Sequence, residues 1–297
     1  MIRRAVGFSL LTMLSSPAWA QTVPFTIEGP GIDPADFEVT VFASGLNFPV
    51  GMTELSDGSI MVATSNGNSF FGSNRGSLTR LADTDGDGEA DVTEVIENNV
   101  PGGKLTSVRR AGDLMAVVGQ GKDPPITLYR TGATPSDSLT SLGSLSFNYP
   151  SGGWLHPHSA LALRERPGGA VGEYERYFQL GSDTNFNTTT RTVGFSGLEL
   201  NVTLAGDALH RVILTDDGES LSAGSHVQIA DGLRNATGLA FHPTTGDLYI
   251  GDNGIDGVVN ANEPTSADEL NVIAAADLGG AMNTARGRRS ATRGSTR

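Results

Sequence analysis

GLRNATGLAFHPTTGDLYIGDNGIDGVVNANEPTSADELN, residues 232–271, decides how this chain is to be read. After Arg234-Asn235 come two short alternating segments, Leu239-Ala240-Phe241 and Leu248-Tyr249-Ile250, joined by Pro243-Thr244-Thr245-Gly246. Period-two alternation on either side of a Pro/Gly turn predicts a β-hairpin. A polar loop follows and ends in Asp268-Glu269-Leu270-Asn271.

The same design occurs earlier. GLNFPVGMTELSDGSIMVATSNG, residues 45–67, has Gly-Leu, four residues, Gly, then a strand, a turn at Asp57-Gly58, a second strand and Asn-Gly. Gly51 and Gly238 are equivalent in the two copies, and they stand about four periods apart at ~45 residues per propeller blade. Weaker copies lie between them, at Lys104 to Gly119 and at His156 to Gly181. A strand-turn-strand unit that recurs in this way predicts radial blades, an all-β propeller, with an ordinary β-sandwich as the alternative.

Outward from these repeats, Phe37 to Phe42 (FEVTVF) alternates as a strand and could close the ring. Leu78 to Ile96 is expected to be strand, acidic loop and strand, and HRVIL and HVQIA after Asp207 to be two more. Thr131 to Tyr149 and Asn185 to Ser196 are Ser/Thr/Asn-rich and are expected to be connections. The expected organisation is a signal peptide at 1–20, a linker at 21–36, a propeller domain at 37–280 and a disordered Arg-rich tail at 281–297. Arg3-Arg4, the apolar run Ala5 to Leu14 and Ala18-Trp19-Ala20 before Gln21 fit secretory export, so the expected location is periplasmic or secreted. The tail fits either a basic interaction segment or a truncated or frame-shifted end.

Composition narrows the class. The 297 residues contain no Cys, so stability has to come from the core and any bound metal rather than from disulfides. The 39 Gly suit turn-rich β structure. A formal net charge of −13 argues against nucleic acid or anionic membranes as partners. No second run approaches the length of a membrane span.

Four constellations can carry chemistry. Asp83-Thr84-Asp85-Gly86-Asp87-Gly88-Glu89-Ala90-Asp91, with Glu94 beyond, matches the D-x-D-x-D-G-x5-E calcium loop. Its candidate ligands are Asp83, Asp85, Asp87, Glu89, Asp91 and Glu94, and a solvated acidic turn is the alternative. His156, just before one strand, and an acid ending the next, Asp183 in Gly181-Ser182-Asp183-Thr184-Asn185, can meet at one rim as a general base and its orienting partner; a surface His near a turn is equally compatible. Arg234-Asn235 offers a fixed cation and an amide, unless a surface salt bridge accounts for Arg234. Asn253-Gly254-Ile255-Asp256-Gly257 exposes carbonyls that could ligate Ca²⁺, or is a plain turn.

At these residues the sequence resembles the pyrroloquinoline-quinone (PQQ)-dependent soluble sugar dehydrogenases, the glucose/sorbosone dehydrogenase family of six-bladed β-propellers, and in particular the sorbosone-dehydrogenase-like branch. The marks are GLRNATGLAFHPTTGDLYIGDNG, NEPTSADELN, GLNFPVGMTELSDGSIMVAT and the His156 strand with GSDTN after its partner. The resemblance implies that His156 is the catalytic base, that Arg234 and Asn235 contact the quinone and that Arg234 polarises it, and that the carbonyls of Gly254 and Ile255 hold Ca²⁺ beneath it. It implies oxidation of an aldose or related sugar aldehyde, with PQQ and Ca²⁺ as cofactors and an external electron acceptor. Three departures are visible. Ile255 stands where the family usually has Pro, and Ser182 where many members have Asp, which leaves Asp183 as a shifted candidate for the orienting acid. The family also continues for about two blades past DELN, so about four blades of an incomplete ring are expected. A calcium-dependent lactonase and a non-catalytic propeller binding module are the rival functions.

Overall fold

The computed structural model describes residues 25–186, 189–257 and 266–279. The proposed leader at 1–20 and the Arg-rich tail at 281–297 lie outside them. The chain is all-β, with no α-helix among the described residues and hence none there that is long and apolar enough to cross a membrane.

The first sheet is a meander of β1 (Gly51–Glu54), β2 (Ile60–Ser65), β3 (Arg75–Ala82) and β4 (Val92–Pro101). The second begins with β5 (Leu105–Ala111), β6 (Leu114–Gly119), β7 (Ile126–Arg130) and β8 (Thr140–Asn148). The chain then forms β9 (Leu161–Glu165) and β10 (Glu173–Leu180) of the third sheet. It leaves to add the hairpin β11 (Thr192–Gly197) and β12 (Leu200–Ala205) to the outer edge of the second, giving the order β12-β11-β8-β7-β6-β5. It returns as β13 (Ala208–Asp216) and β14 (Leu221–Asp231), which complete the order β9-β10-β13-β14. The last sheet contains β15 (Ala236–Phe241), β16 (Leu248–Asp252) and β17 (Glu269–Ile273). Every pairing is antiparallel.

The first strands of the sheets are neighbours: β5 lies against both β1 and β9, and β9 against β15. Sheets that meet along their first strands and pack face to face in chain order form a propeller-like array. The approach is close enough that a Cβ on Gly51 would stand 3.0 Å from the Ser107 backbone of β5, which accounts for glycine there.

Three apolar layers fill the gaps between the sheets. Leu55, Met61 and Leu78 of the first meet Leu105, Met115 and Val117 of the second. Leu114, Ala116 and Leu145 of the second meet Leu161, Phe178 and Val212 of the third. Ala162, Tyr177 and Leu209 of the third meet Ala236, Leu248 and Ile250 of the last. In β6, alternate residues therefore serve two different layers, which is why LMAVVG is apolar throughout instead of alternating. Burying a Leu or Met fully stabilises by about 1.5–3 kcal/mol, so these layers supply most of the cohesion.

Two expectations from sequence are corrected. The segment 37–42 is not a strand: it has a single bridge at Thr40, and the Phe42 carbonyl accepts a bond from Ala90 N of the acidic turn, so it completes no sheet among the described residues. The stretches 131–149 and 185–196 are not simply connections, because β8 lies in the first and most of β11 in the second.

Candidate functional site

Three stretches of chain run side by side just beyond the ends of β9, β10 and the start of β15. His156 N donates to Ser182 O at 2.9 Å, and Ser182 N donates to Arg234 O at 2.9 Å. Gly181 is wedged between them, since a Cβ there would lie 2.6 Å from both the His156 and Arg234 carbonyl oxygens. The backbone thus brings together the imidazole and the guanidinium that the sequence singled out, from residues 78 positions apart in the chain.

His156 is buried, and its Nδ1 lies 2.8 Å from Ser182 Oγ. Burial, and then the charge of Arg234, push its pKa down to about 4, while Asp256 acts weakly the other way. At neutral pH the imidazole is uncharged and can act as a base. Its partner is not the expected Asp183, which is corrected here. Asp183 pairs with Arg191 at 2.8 Å, and only its backbone carbonyl takes part in the rim, accepting from Leu155 N.

Arg234 is the hub of the site. Its Nε donates to Asn185 O at 2.9 Å, Nη1 to Asn253 O at 3.3 Å and to Gly254 O at 2.5 Å, and Nη2 to Asp256 Oδ2 at 2.9 Å and to the Asn185 side chain. Its side chain is only 11% exposed. Asn235 is placed by its backbone: Asp252 accepts from Arg234 N at 3.1 Å and Asn235 N at 2.7 Å. Burial raises the pKa of Asp252, the two N–H groups partly offsetting that cost.

The loop after β16 is fastened from both ends. Gly254 N donates to Asp268 at 2.8 Å and Ile255 N to Ser266 Oγ at 2.8 Å. A cavity of about 500 Å³ opens here, lined among others by Ser182, Asn185, Arg234, Asp252, Gly254 and Glu269.

Calcium at Gly254 and Ile255 does not fit this arrangement. The Gly254 carbonyl already accepts from Arg234, and the carbonyls of Asn185 and Asn253 and the Asp256 carboxylate complete a shell of oxygens around the guanidinium. A divalent ion there would stand against an existing cation. A quinone fits better. The cavity is in the size range of small-molecule sites, and Arg234 lines it, with Asn235 next in the chain.

The acidic turn between β3 and β4 lies in another sheet. Asp83, Asp85 and Asp91 converge, with carboxylate oxygens within 4.8 Å of one another. The other three proposed ligands do not join them. Asp87 caps Glu89 N at 2.9 Å, and Glu89 is exposed. Glu94 lies in β4, in register with Arg80 and 3.9 Å from it, because a strand rather than a helix follows the loop.

No family model and no curated protein matches the chain. Among solved structures it is similar to the holo form of the pyranose dehydrogenase PQQ domain from Coprinopsis cinerea, at 14% identity and TM-score 0.50, over 78% of this chain and 52% of that one. It is also similar to the PQQ-bound aldose sugar dehydrogenase from Streptomyces coelicolor, at 18% identity and TM-score 0.43, over 80% and 63%. The chain thus spans about half the length of the first of these. At this identity the likeness to the first is one of fold.

Proposed function

We propose that this chain is the histidine-bearing part of a quinone-dependent sugar dehydrogenase, built on a six-bladed ring and exported to the periplasm or beyond. The observation that carries it is the neutral, buried imidazole of His156 hydrogen-bonded to Ser182, which itself is joined to Arg234 and with it lines a cavity of about 500 Å³. Its fold is shared with a domain whose solved structure holds PQQ.

Arg234 and Asn235 would hold the quinone, with Arg234 exchanging Asp256 for an acidic or carbonyl oxygen of the ligand. When bound, the quinone supplies the acceptor for a hydride from the sugar carbon. The imidazole of His156 takes the hydroxyl proton, and the electron pair of that O–H bond becomes the second bond of the product carbonyl. A cyclic aldose leaves as its lactone. The positive charge of Arg234 on the cavity wall would stabilise negative charge gathered by a quinone bound there. The carboxylates of Asp252 and Glu269 on the cavity wall would accept from sugar hydroxyls and disfavour anionic sugars.

The test is addition of PQQ to the purified chain, followed by quinone absorbance and aldose-dependent reduction of an artificial dye as the external acceptor. The expected result is a spectral shift with dye reduction in the wild type, and in His156→Ala a shift without reduction. Quinone uptake with no turnover in the wild type would instead identify a binding module.

A further inference from the structure

We infer that Ser182 is the positioning residue that fixes the tautomer of His156, leaving Nε2 as the proton-accepting nitrogen. This rests on the proposal that His156 is the base. The Ser182 hydroxyl has two neighbours, His156 Nδ1 at 2.8 Å and the Thr184 carbonyl oxygen at 2.7 Å. A carbonyl oxygen carries no hydrogen, so the Ser182 O–H points to Thr184. The lone pair of Ser182 Oγ therefore faces Nδ1, and Nδ1 must carry the hydrogen that joins them. A neutral imidazole has one N–H, so Nε2 carries the lone pair, and it has no hydrogen-bond partner among the described residues.

The relay has little freedom to reverse. Ser182 is buried, its N–H is held by Arg234 O and its carbonyl by His156 N. Asp183, the neighbouring acid, is tied to Arg191 and cannot replace it. The orienting group is thus an uncharged hydroxyl backed by a backbone carbonyl. It selects the same nitrogen that an orienting carboxylate would select, without adding a negative charge that would strengthen the base.

The experiment is long-range ¹H–¹⁵N correlation NMR on the full chain with ¹⁵N-labelled histidine. The chain has five His, and the His156 signals are assigned by their loss in His156→Gln. In the wild type, His156 is expected to show a protonated Nδ1 and an unprotonated Nε2. In Ser182→Ala the hydrogen should redistribute toward Nε2, the position an unconstrained histidine favours, and Ser182→Thr should restore Nδ1–H. A wild-type His156 protonated on Nε2 overturns the inference, and so does an unchanged tautomer in a folded Ser182→Ala chain. If Ser182→Ala does not fold, the wild-type spectrum alone decides. In the dye assay Ser182→Ala should lower kcat by roughly 10–100-fold, as for loss of an orienting partner, with KM little changed. A wild type that shows Nδ1–H but reduces no dye would sink the dehydrogenase proposal while leaving the positioning intact.

Discussion

At the scale of single residues, the site is an electrostatic balance around one imidazole. Burial lowers the His156 pKa most, Arg234 lowers it further and Asp256 partly reverses that, giving about 4. Removing either neighbour should therefore move the titration in opposite directions. Asp256→Asn takes away the opposing charge, so the midpoint should fall. Arg234→Gln removes the nearby cation and should raise it toward the ordinary value near 6.5. An NMR pH titration of His156 in the three proteins measures this, and a common midpoint would refute the account. Asp256 is 81% exposed, so its loss should change stability by less than about 1 kcal/mol. Sequence could name His156, Arg234 and Asn235 from their neighbours in the chain. It could not name Ser182, because a hydroxyl becomes an orienting group only when its rotamer and the rim register set it against a ring nitrogen and a carbonyl.

At the scale of elements, periodicity was a good guide only where a partner strand was available. Residues 37–42 alternate as well as any strand, yet they form one bridge, since no sheet edge among the described residues receives them. In β8 the opposite happens. TSLGSLSFN buries only Leu145 completely, and a bulge between Leu128 and Tyr129 of its neighbour breaks the two-residue beat, so composition resembled a loop. The calcium motif shows the same limit: its spacing fits a helix-flanked loop, whereas β4 fixes Glu94 opposite Arg80. With three converging carboxylates and no bidentate Glu, Ca²⁺ should bind in the weak range, with a Kd of ~10⁻⁴–10⁻³ M. Calcium titration followed by thermal unfolding should show a rise in Tm that Asp85→Asn abolishes. No Ca²⁺ response at 10 mM, or an unaltered response in that variant, would count against the loop as a cation site.

At the scale of the whole molecule, the repeats gave the order of the sheets, but not what is buried between them. The layer between the second and third sheets holds charge-capable groups as well as hydrocarbon. Arg176 is fully buried against Phe178 at 4.8 Å and Phe195 at 5.5 Å, and burial pushes its pKa down to about 9. Near it, His158 stacks on Phe147, donates from Nε2 to Pro124 O at 2.7 Å and accepts at Nδ1 from the Tyr149 hydroxyl at 2.9 Å, and His210 pairs with His226 at 3.0 Å. Burial lowers His158 to about 3 and His210 to about 4, and lowers His226 also, with Arg176 adding to the effect on His158 and His226. Like His156, the imidazoles of His158 and His210 are neutral at pH 7 in the folded chain, whereas in the unfolded chain they take up protons near pH 6.5. Between that value and the folded pKa values the unfolded state binds more protons, so stability must fall as pH falls. Each such group adds a slope of at most about 1.4 kcal/mol per pH unit. Urea unfolding should therefore show a midpoint that declines steadily from pH 7 to pH 5, before most carboxylates titrate. His158→Asn, which can keep a donor for Pro124 O without a titrating ring, should flatten part of that decline even if it lowers the midpoint at pH 7. A midpoint independent of pH over this interval would mean that the histidines are not held neutral between the sheets, and the packing described here would have to be wrong.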